Sequence, residues 1–198
     1  PNSPAALNNL GIGYNTLGNF EQALVFFQKA LEFDPDFAEA HNNLGSTLQD
    51  LRKFDEAIAS YKKALTLKPD YLDANDNLGT LLEASGQPNK AVAYFKKALS
   101  IKPDYALAYS NLGRVLWKLG DFGDAIVHHQ RAVALEPENQ NFWIYFAESV
   151  ETISFSGINA SVGDTLYQDL LQLVEHPTVS PTFISTVSYT HQTLPTKA

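Results

Sequence analysis

The sequence of 198 residues is 44% hydrophobic and 18% charged, carries a formal net charge of −8 and contains no cysteine. This composition can bury a core, whereas the missing cysteines exclude disulfides and thiolate metal sites. The acidic charge repels phosphate backbones, and no apolar run approaches the roughly 20 residues of a membrane helix, so we expect neither nucleic acid nor a membrane as a partner.

A short motif recurs through the first two-thirds of the chain at a constant spacing. The tripeptide Asn-Leu-Gly begins at four positions that are 34 residues apart, Asn9, Asn43, Asn77 and Asn111. Alanines and prolines recur in the same phase, at Ala23, Ala57, Ala91 and Ala125 and at Pro35, Pro69, Pro103 and Pro137. Because self-similarity at such a period is typical of repeat architectures, the sequence predicts four repeats, at residues 4–37, 38–71, 72–105 and 106–139.

Each repeat has the apolar periodicity of two helices. In the second repeat, His41, Leu44 and Leu48 fall on one face of a first helix. Ala57 and Tyr61 belong to the matching face of a second helix. The link between the helices is short, so they must lie antiparallel, and a proline closes the repeat because it cannot continue a helix. The sequence therefore predicts an all-α chain of helical hairpins.

The glycine after each recurring leucine, the recurring alanines and the closing prolines together resemble the tetratricopeptide repeat family. The glycines are Gly11, Gly45, Gly79 and Gly113. The resemblance implies a right-handed superhelical solenoid of antiparallel helix hairpins (an alpha-alpha superhelix), with first helices lining a concave groove, and a role in protein binding. Three departures are expected to loosen single hairpins: Arg52 replaces a turn glycine, Pro88 an aromatic residue, and His129 the large residue found at Phe27, Tyr61 and Phe95.

The repeats fade towards the end of the sequence. Residues 140–153 keep the phase for a degenerate fifth first helix that acts as a cap, and residues 154–186 indicate a helical linker or the start of a truncated domain. Residues 187–198 resemble a translated sequencing-library adapter, apart from Gln192, so we expect the natural sequence to stop near Thr186. The chain lacks methionine and is expected to be a piece of a longer protein. It has no signal-peptide pattern; the compartment stays open, and the cytoplasm is the first expectation.

One column of asparagines marks the predicted groove. Asn9, Asn43, Asn77 and Asn111 each precede the core leucine of a first helix, so they should point off the packed face. A side-chain amide both donates and accepts, so such a column can hold the backbone of an extended peptide. This is similar to the asparagine ladder in the repeat arm of O-linked N-acetylglucosamine transferases. In the alternative interpretation, each asparagine bonds within its own helix turn or caps a neighbour. The other predicted groove residues are Asn8, Asn42, Gln49, Asp76, Glu83, Arg114 and Lys118.

The sequence offers little for catalysis. Gly11-Ile12-Gly13 lies inside a predicted helix with no strand before it, which argues against a nucleotide-binding loop. His128 and His129 lack a third metal ligand at helical spacing. No nucleophile is paired with a base. We therefore expect no catalytic residue, no metal, no cofactor and no enzymatic activity in this chain.

Two functional hypotheses follow. The first is a protein–protein interaction scaffold that binds an extended peptide in the groove. The second is the substrate-recognition arm of a larger transferase, either an O-linked glycosyltransferase or a SAM-dependent methyltransferase, whose catalytic domain is absent from the sequence. In both cases the partner is a protein or peptide. Because repeats contact only their neighbours, a first repeat without an upstream neighbour is also expected to self-associate weakly.

Overall fold

The computed structural model describes residues 3–151, and every regular element within them is an α-helix. The bounds are α1 (Pro4–Thr16), α2 (Phe20–Phe33), α3 (Ala38–Asp50), α4 (Phe54–Leu67), α5 (Leu72–Ala84), α6 (Pro88–Ile101), α7 (Ala106–Lys118), α8 (Phe122–Leu135) and α9 (Gln140–Glu151). The predicted all-α class is confirmed. The predicted linker at 154–186 and the adapter-like tail at 187–198 lie outside the described residues.

The described residues fall into two compact units, which meet in sequence between residues 103 and 104. In the first unit, α1 packs on α2, α3 on α4 and α5 on α6, and these pairs are the predicted hairpins. In the second unit, α7 and α8 form a hairpin, and α8 also packs on α9. First helices within a unit contact each other as well: α1 contacts α3, α3 contacts α5, and α7 contacts α9. Polar side chains of successive repeats can therefore meet.

Each hairpin closes where a glycine on the first helix faces a large residue on the second. A Cβ atom added to Gly45 would lie 2.8 Å from the ring of Tyr61, and one added to Gly11 would lie 2.6 Å from the ring of Phe27. Both rings are almost completely buried. Because a close-packed interior has no room for another carbon there, only glycine lets the two helices approach. This packing explains why the glycine recurs.

The turn inside each hairpin uses a left-handed backbone conformation. Gly18, Gly86 and Gly120 have φ angles of 75°, 74° and 83°, which glycine adopts without steric cost. Arg52 occupies the equivalent position with a φ of 59°. The second hairpin therefore keeps the common turn geometry, and Arg52 strains the turn, because the arginine Cβ crowds the following carbonyl. Pro88 stands in the first turn of α6, where its missing N–H group does no harm.

A side-chain nitrogen anchors three of the loops that lead into a first helix. Each contacts the carbonyl oxygen of the proline six residues earlier. The contacts are His41 Nε2 with Pro35 O at 2.8 Å, Asn75 Nδ2 with Pro69 O at 3.2 Å, and Trp143 Nε1 with Pro137 O at 2.8 Å. An imidazole, an amide and an indole can thus make the same contact, because each carries an N–H group within hydrogen-bond distance of the proline carbonyl. These bonds fix where the next first helix starts.

Candidate peptide-binding surface

The asparagine column of the first unit bonds from one repeat to the preceding one. Asn43 Nδ2 donates to Asn8 Oδ1 at 3.0 Å, and Asn77 Nδ2 donates to Asn42 Oδ1 at 3.1 Å. In each case a column asparagine on one first helix reaches the residue just before the column on the previous first helix. The alternative interpretation, in which asparagines cap a neighbour, therefore describes part of their role, with the neighbour on another repeat.

These two bonds are joined into a longer series. Asn42 Nδ2 lies 3.5 Å from Asn43 Oδ1, so amides run from Asn77 through Asn42 and Asn43 to Asn8 across three first helices. We call these four residues the amide chain. Each amide donates to the next in the order Asn77, Asn42, Asn43, Asn8. In the two bonds between repeats, the donor lies on the repeat nearer the C-terminus. Hydrogen bonds in such a series polarise and strengthen one another. The two shorter bonds, between repeats, hold the Asn43 and Asn77 amides in place.

The two halves of the amide chain differ in exposure. Asn8 and Asn42 are 6% and 5% exposed, whereas Asn43 and Asn77 are half-buried and Asn9 is exposed. Asn8 and Asn42 therefore lie between helices, and the column residues face outward. Within residues 3–151, the second N–H of the Asn43 and Asn77 amides has no hydrogen-bond partner. A peptide carbonyl could accept from that group.

Three other predicted groove residues of the first unit hold structural positions. Gln49 Oε1 accepts from the hydroxyl of Tyr61 at 3.2 Å, so it supports the large residue that closes the second hairpin. Asp76 and Glu83 on α5 are only 7% and 6% exposed. Like Asn42, these two carboxylates lie largely buried among the helices. Their contribution to binding stays a prediction.

A further polar contact between first helices was not anticipated. Thr47 is fully buried, and its Oγ1 lies 3.1 Å from Asn15 Oδ1 on the preceding first helix. The same hydroxyl lies 3.0 Å from the backbone oxygen of Asn43, one turn earlier on α3. Neither Asn15 nor Thr47 belongs to a recurring column, so the repeat pattern held no signal for this contact. It places a second polar link beside the amide chain.

In the second unit, the predicted residues lie on α7. Asn111 is 8% exposed, and its Oδ1 accepts from Arg114 Nη2 at 3.1 Å. Lys118 is exposed one turn beyond Arg114. Arg114 and Lys118 line a pocket of about 480 Å³ together with side chains from α7, α8 and α9, namely Trp117, His129, Tyr145, Glu148 and Ser149. In the sequence, the indication of this pocket is His129, which stands where the other three hairpins have a large aromatic residue.

His129 occupies the closing position of the fourth hairpin and is 2% exposed. Its Nδ1 atom lies 2.6 Å from the hydroxyl oxygen of Ser149, which ties α8 to α9. Burial lowers the pKa of His129 to about 4, an effect that the backbone oxygen of Ser110 opposes and that the charges of His128 and Arg114 reinforce. The imidazole is therefore neutral at pH 7. One of the two adjacent histidines was expected to be packed in the core. His129 is that residue, and it also forms a hydrogen bond with Ser149.

Residues 3–151 contain no group of three or more histidine, cysteine, aspartate or glutamate side chains placed to hold a metal ion. No helix in the same part of the chain is long and apolar enough to cross a membrane.

Family models described as tetratricopeptide repeat match residues 4–37, 36–104 and 82–127. A search of curated proteins finds no match. Among solved structures, the chain is similar to the crystal structure of MamA, with 26% identity, a TM-score of 0.67 and coverage of 71% of this chain and 82% of that chain. It is also similar to PilF of Pseudomonas aeruginosa (24% identity, TM-score 0.73, 87% of this chain and 73% of that chain). YrrB, described as a TPR protein with an unusual peptide-binding site, shares 21% identity at a TM-score of 0.67, over 85% of this chain and 84% of that chain.

Proposed function

We propose that this chain, which belongs to the tetratricopeptide repeat family and is a protein-interaction scaffold, binds an extended peptide along the first helices of its first unit. The amide chain is the observation that carries this proposal. It presents ordered amides from successive repeats on adjacent helices, and an extended peptide offers carbonyl and N–H groups along its whole length. YrrB, which has the same fold, is described as having a peptide-binding site of its own, and this supports a peptide as the ligand class.

Charge on the same helices supports a preference among peptides. The first helices α1, α3 and α5 contain five carboxylate residues and no lysine or arginine; the five are Glu39, Asp50, Asp73, Asp76 and Glu83. Asp76 and Glu83 are buried and Glu39 pairs with Lys68. Asp50 and Asp73 therefore carry the exposed negative charge, which attracts cationic segments and repels acidic ones. The preferred ligand is therefore an extended peptide with basic or hydroxyl side chains.

The test separates contact with the peptide from support of the fold. Peptides are selected from a random-sequence display library on the purified chain, and their affinities are measured by calorimetry for the wild type and for Asn43→Ala/Asn77→Ala. Each lost hydrogen bond is worth about 1 kcal/mol, so the double variant should bind roughly 30-fold more weakly.

The matched control is Asn8→Ala/Asn42→Ala, which removes the buried acceptors of the same inter-repeat bonds and so loosens the outward amides without removing them. It should weaken binding by less than about 5-fold. Equal losses in both double variants, or a library that yields no binding peptide, would contradict the proposal. Far-UV circular dichroism of each variant confirms that the helices are retained.

The second hypothesis is that the chain is the recognition arm of a larger transferase. The asparagine column favours it, because that column is similar to the ladder in O-linked N-acetylglucosamine transferases. The DNA sequence downstream of the codon for Thr186 tests it. Paired nucleotide-sugar domains would indicate a glycosyltransferase, a glycine-rich strand–loop–helix would indicate a methyltransferase, and a stop codon would leave the scaffold alone. Under either hypothesis, we expect this chain by itself to turn over no group-transfer substrate.

A further inference from the structure

We propose that the pocket between α7, α8 and α9 of the second unit binds an acidic side chain, glutamate or aspartate, within an extended peptide segment. The pocket measures about 480 Å³. This inference rests on the proposed peptide-binding function and adds the chemistry of a ligand side chain. It concerns only residues of the second unit, so its test is independent of the amide chain.

The pocket lies where the fourth hairpin departs from the other hairpins. Phe27, Tyr61 and Phe95 fill the closing position of the first three hairpins and are almost completely buried. His129 fills it in the fourth hairpin with a smaller ring, which packs against Gly113 and contacts Ser149 Oγ on α9 through its Nδ1 atom. The ring occupies less of the space between the helices than a phenyl or phenol group.

The distribution of charge favours an acidic ligand. Residues 104–151 contain seven carboxylate side chains and only three cationic ones, Arg114, Lys118 and Arg131. Two of these three cations line the pocket, and among the residues that the structure describes Glu148 is the carboxylate that lines it with them. Arg114 and Lys118 are four residues apart on α7, so they project from the same face of the helix. An otherwise acidic segment thus concentrates its positive charge at the pocket.

The lining groups suit a carboxylate attached to an apolar stem. A guanidinium can donate two parallel hydrogen bonds to a carboxylate, and an ammonium adds a compact charge. Trp117 and Tyr145 supply aromatic surface for methylene groups. The volume exceeds that of one carboxylate, so the pocket can also take part of a neighbouring apolar residue. Both α7 and α9 are first helices, and an extended peptide lying along them would present an internal side chain to the pocket.

The two tryptophans of the chain give a direct readout. Trp117 lines the pocket, whereas Trp143 is 4% exposed and its indole donates to the Pro137 carbonyl. Blocked hexapeptides (acetylated and amidated) that contain Glu-Leu, Gln-Leu or Lys-Leu in an alanine background are titrated into the ¹⁵N-labelled chain. The Glu-Leu peptide should shift the Trp117 indole signal with at least 10-fold higher affinity than the other two and leave the Trp143 signal in place. Trp117→Phe assigns the signals.

Variants test the cause. Arg114→Gln/Lys118→Gln should reduce the affinity for the Glu-Leu peptide at least 10-fold, whereas the control Arg131→Gln, which removes the cation outside the pocket, should leave it unchanged. His129→Phe keeps both cations and fills the pocket, and it should also weaken binding. This second variant keeps the test valid if the double charge variant is unstable.

Three outcomes would overturn the inference. The first is equal affinity for the Glu-Leu and Gln-Leu peptides, and the second is a loss of binding in Arg131→Gln as large as in Arg114→Gln/Lys118→Gln. The third is that the blocked Glu-Leu peptide does not bind, whereas a Gln-Leu peptide with a free C-terminal carboxylate does. Asn43→Ala/Asn77→Ala separates this inference from the proposed function. If that variant keeps full affinity for library-selected peptides while the Glu-Leu titration succeeds, the amide-chain proposal fails and the acidic pocket stands.

Discussion

Asn77 on α5 donates a hydrogen bond to Asn42 on α3, 35 residues earlier in the chain and one repeat away. The same relationship joins Asn43 to Asn8. The column that recurs every 34 residues therefore has two roles in the first unit: it connects neighbouring repeats and presents amides outward. These roles can be separated experimentally, because the donors are half-buried and the acceptors are buried.

The inter-repeat bond should be measurable as a coupling energy. In a double-mutant cycle on Asn8→Ala and Asn43→Ala, the unfolding free energy from urea titrations should show a coupling of about 1 kcal/mol. Replacing Asn8 leaves the Asn43 donor free to bond with water, whereas replacing Asn43 leaves the buried Asn8 acceptor unsatisfied. Asn9→Ala paired with Asn43→Ala is the control and should show no coupling. Additive energies in the first cycle would mean that the bond contributes nothing to stacking.

Arg52→Gly should stabilise the second hairpin. Arg52 has a φ of 59°, where a side chain costs about 1–2 kcal/mol, and the extra freedom of glycine in the unfolded chain offsets about half of the gain. The expected rise in unfolding free energy is about 0.5–1 kcal/mol. Gly86→Arg, the reverse exchange at a φ of 74°, should lower stability by a similar amount. Both are read from urea midpoints, and a midpoint that falls in Arg52→Gly would contradict the strained-turn explanation.

The stability of the second unit should depend on pH through His129. Its pKa is about 4 in the folded state and about 6.5 in the unfolded chain, so below pH 6.5 the unfolded chain takes up the proton first. Stability is complete above pH 6.5 and declines as pH falls towards 4, by about 2 kcal/mol between pH 7 and pH 5.

The comparison that isolates this effect is His129→Phe, since every other titrating group is retained. The titratable and charged groups around His129 are Arg114 and Lys118 on α7, Tyr145 and Glu148 on α9, and the adjacent His128. Urea unfolding at pH 7 and pH 5 should give a smaller difference for the variant than for the wild type. The same pH slope in both proteins would show that the imidazole is not the titrating group.

The first repeat should support weak self-association. Leu10, Ile12 and Leu17 on and after α1 are 48%, 43% and 75% exposed, whereas Leu78, the equivalent of Leu10 on α5, is fully buried. Apolar surface of this kind is stabilised by contact with another apolar face. Sedimentation equilibrium should detect a dimer at high micromolar concentration, and Leu10→Gln/Leu17→Gln should shift the equilibrium to monomer. A wild type that remains monomeric up to millimolar concentration would exclude this mode.

Several features could be predicted from the sequence because they depend on residues close together in the chain. The period of 34, the pairing of Gly45 with Tyr61 and the antiparallel hairpins all follow from contacts within one repeat. A helical face is determined by spacing alone, and a short link leaves the two helices no alternative to lying side by side. The place of His129 in the core was also predictable, since it stands in the phase of Phe27 and Phe95.

The tertiary structure alone decided what happens between repeats. Which atom of Asn42 meets which atom of Asn77, and the burial of Asp76 and Glu83, depend on how closely successive first helices approach. The acidic-ligand pocket depends in the same way on the gap that α7, α8 and α9 leave around His129. Spacing along one helix cannot give these distances, because a shift of an ångström between helices makes or breaks a hydrogen bond. The sequence by itself determined the hairpins and their repetition, and the packing of hairpin on hairpin decided which polar groups remain available to a ligand.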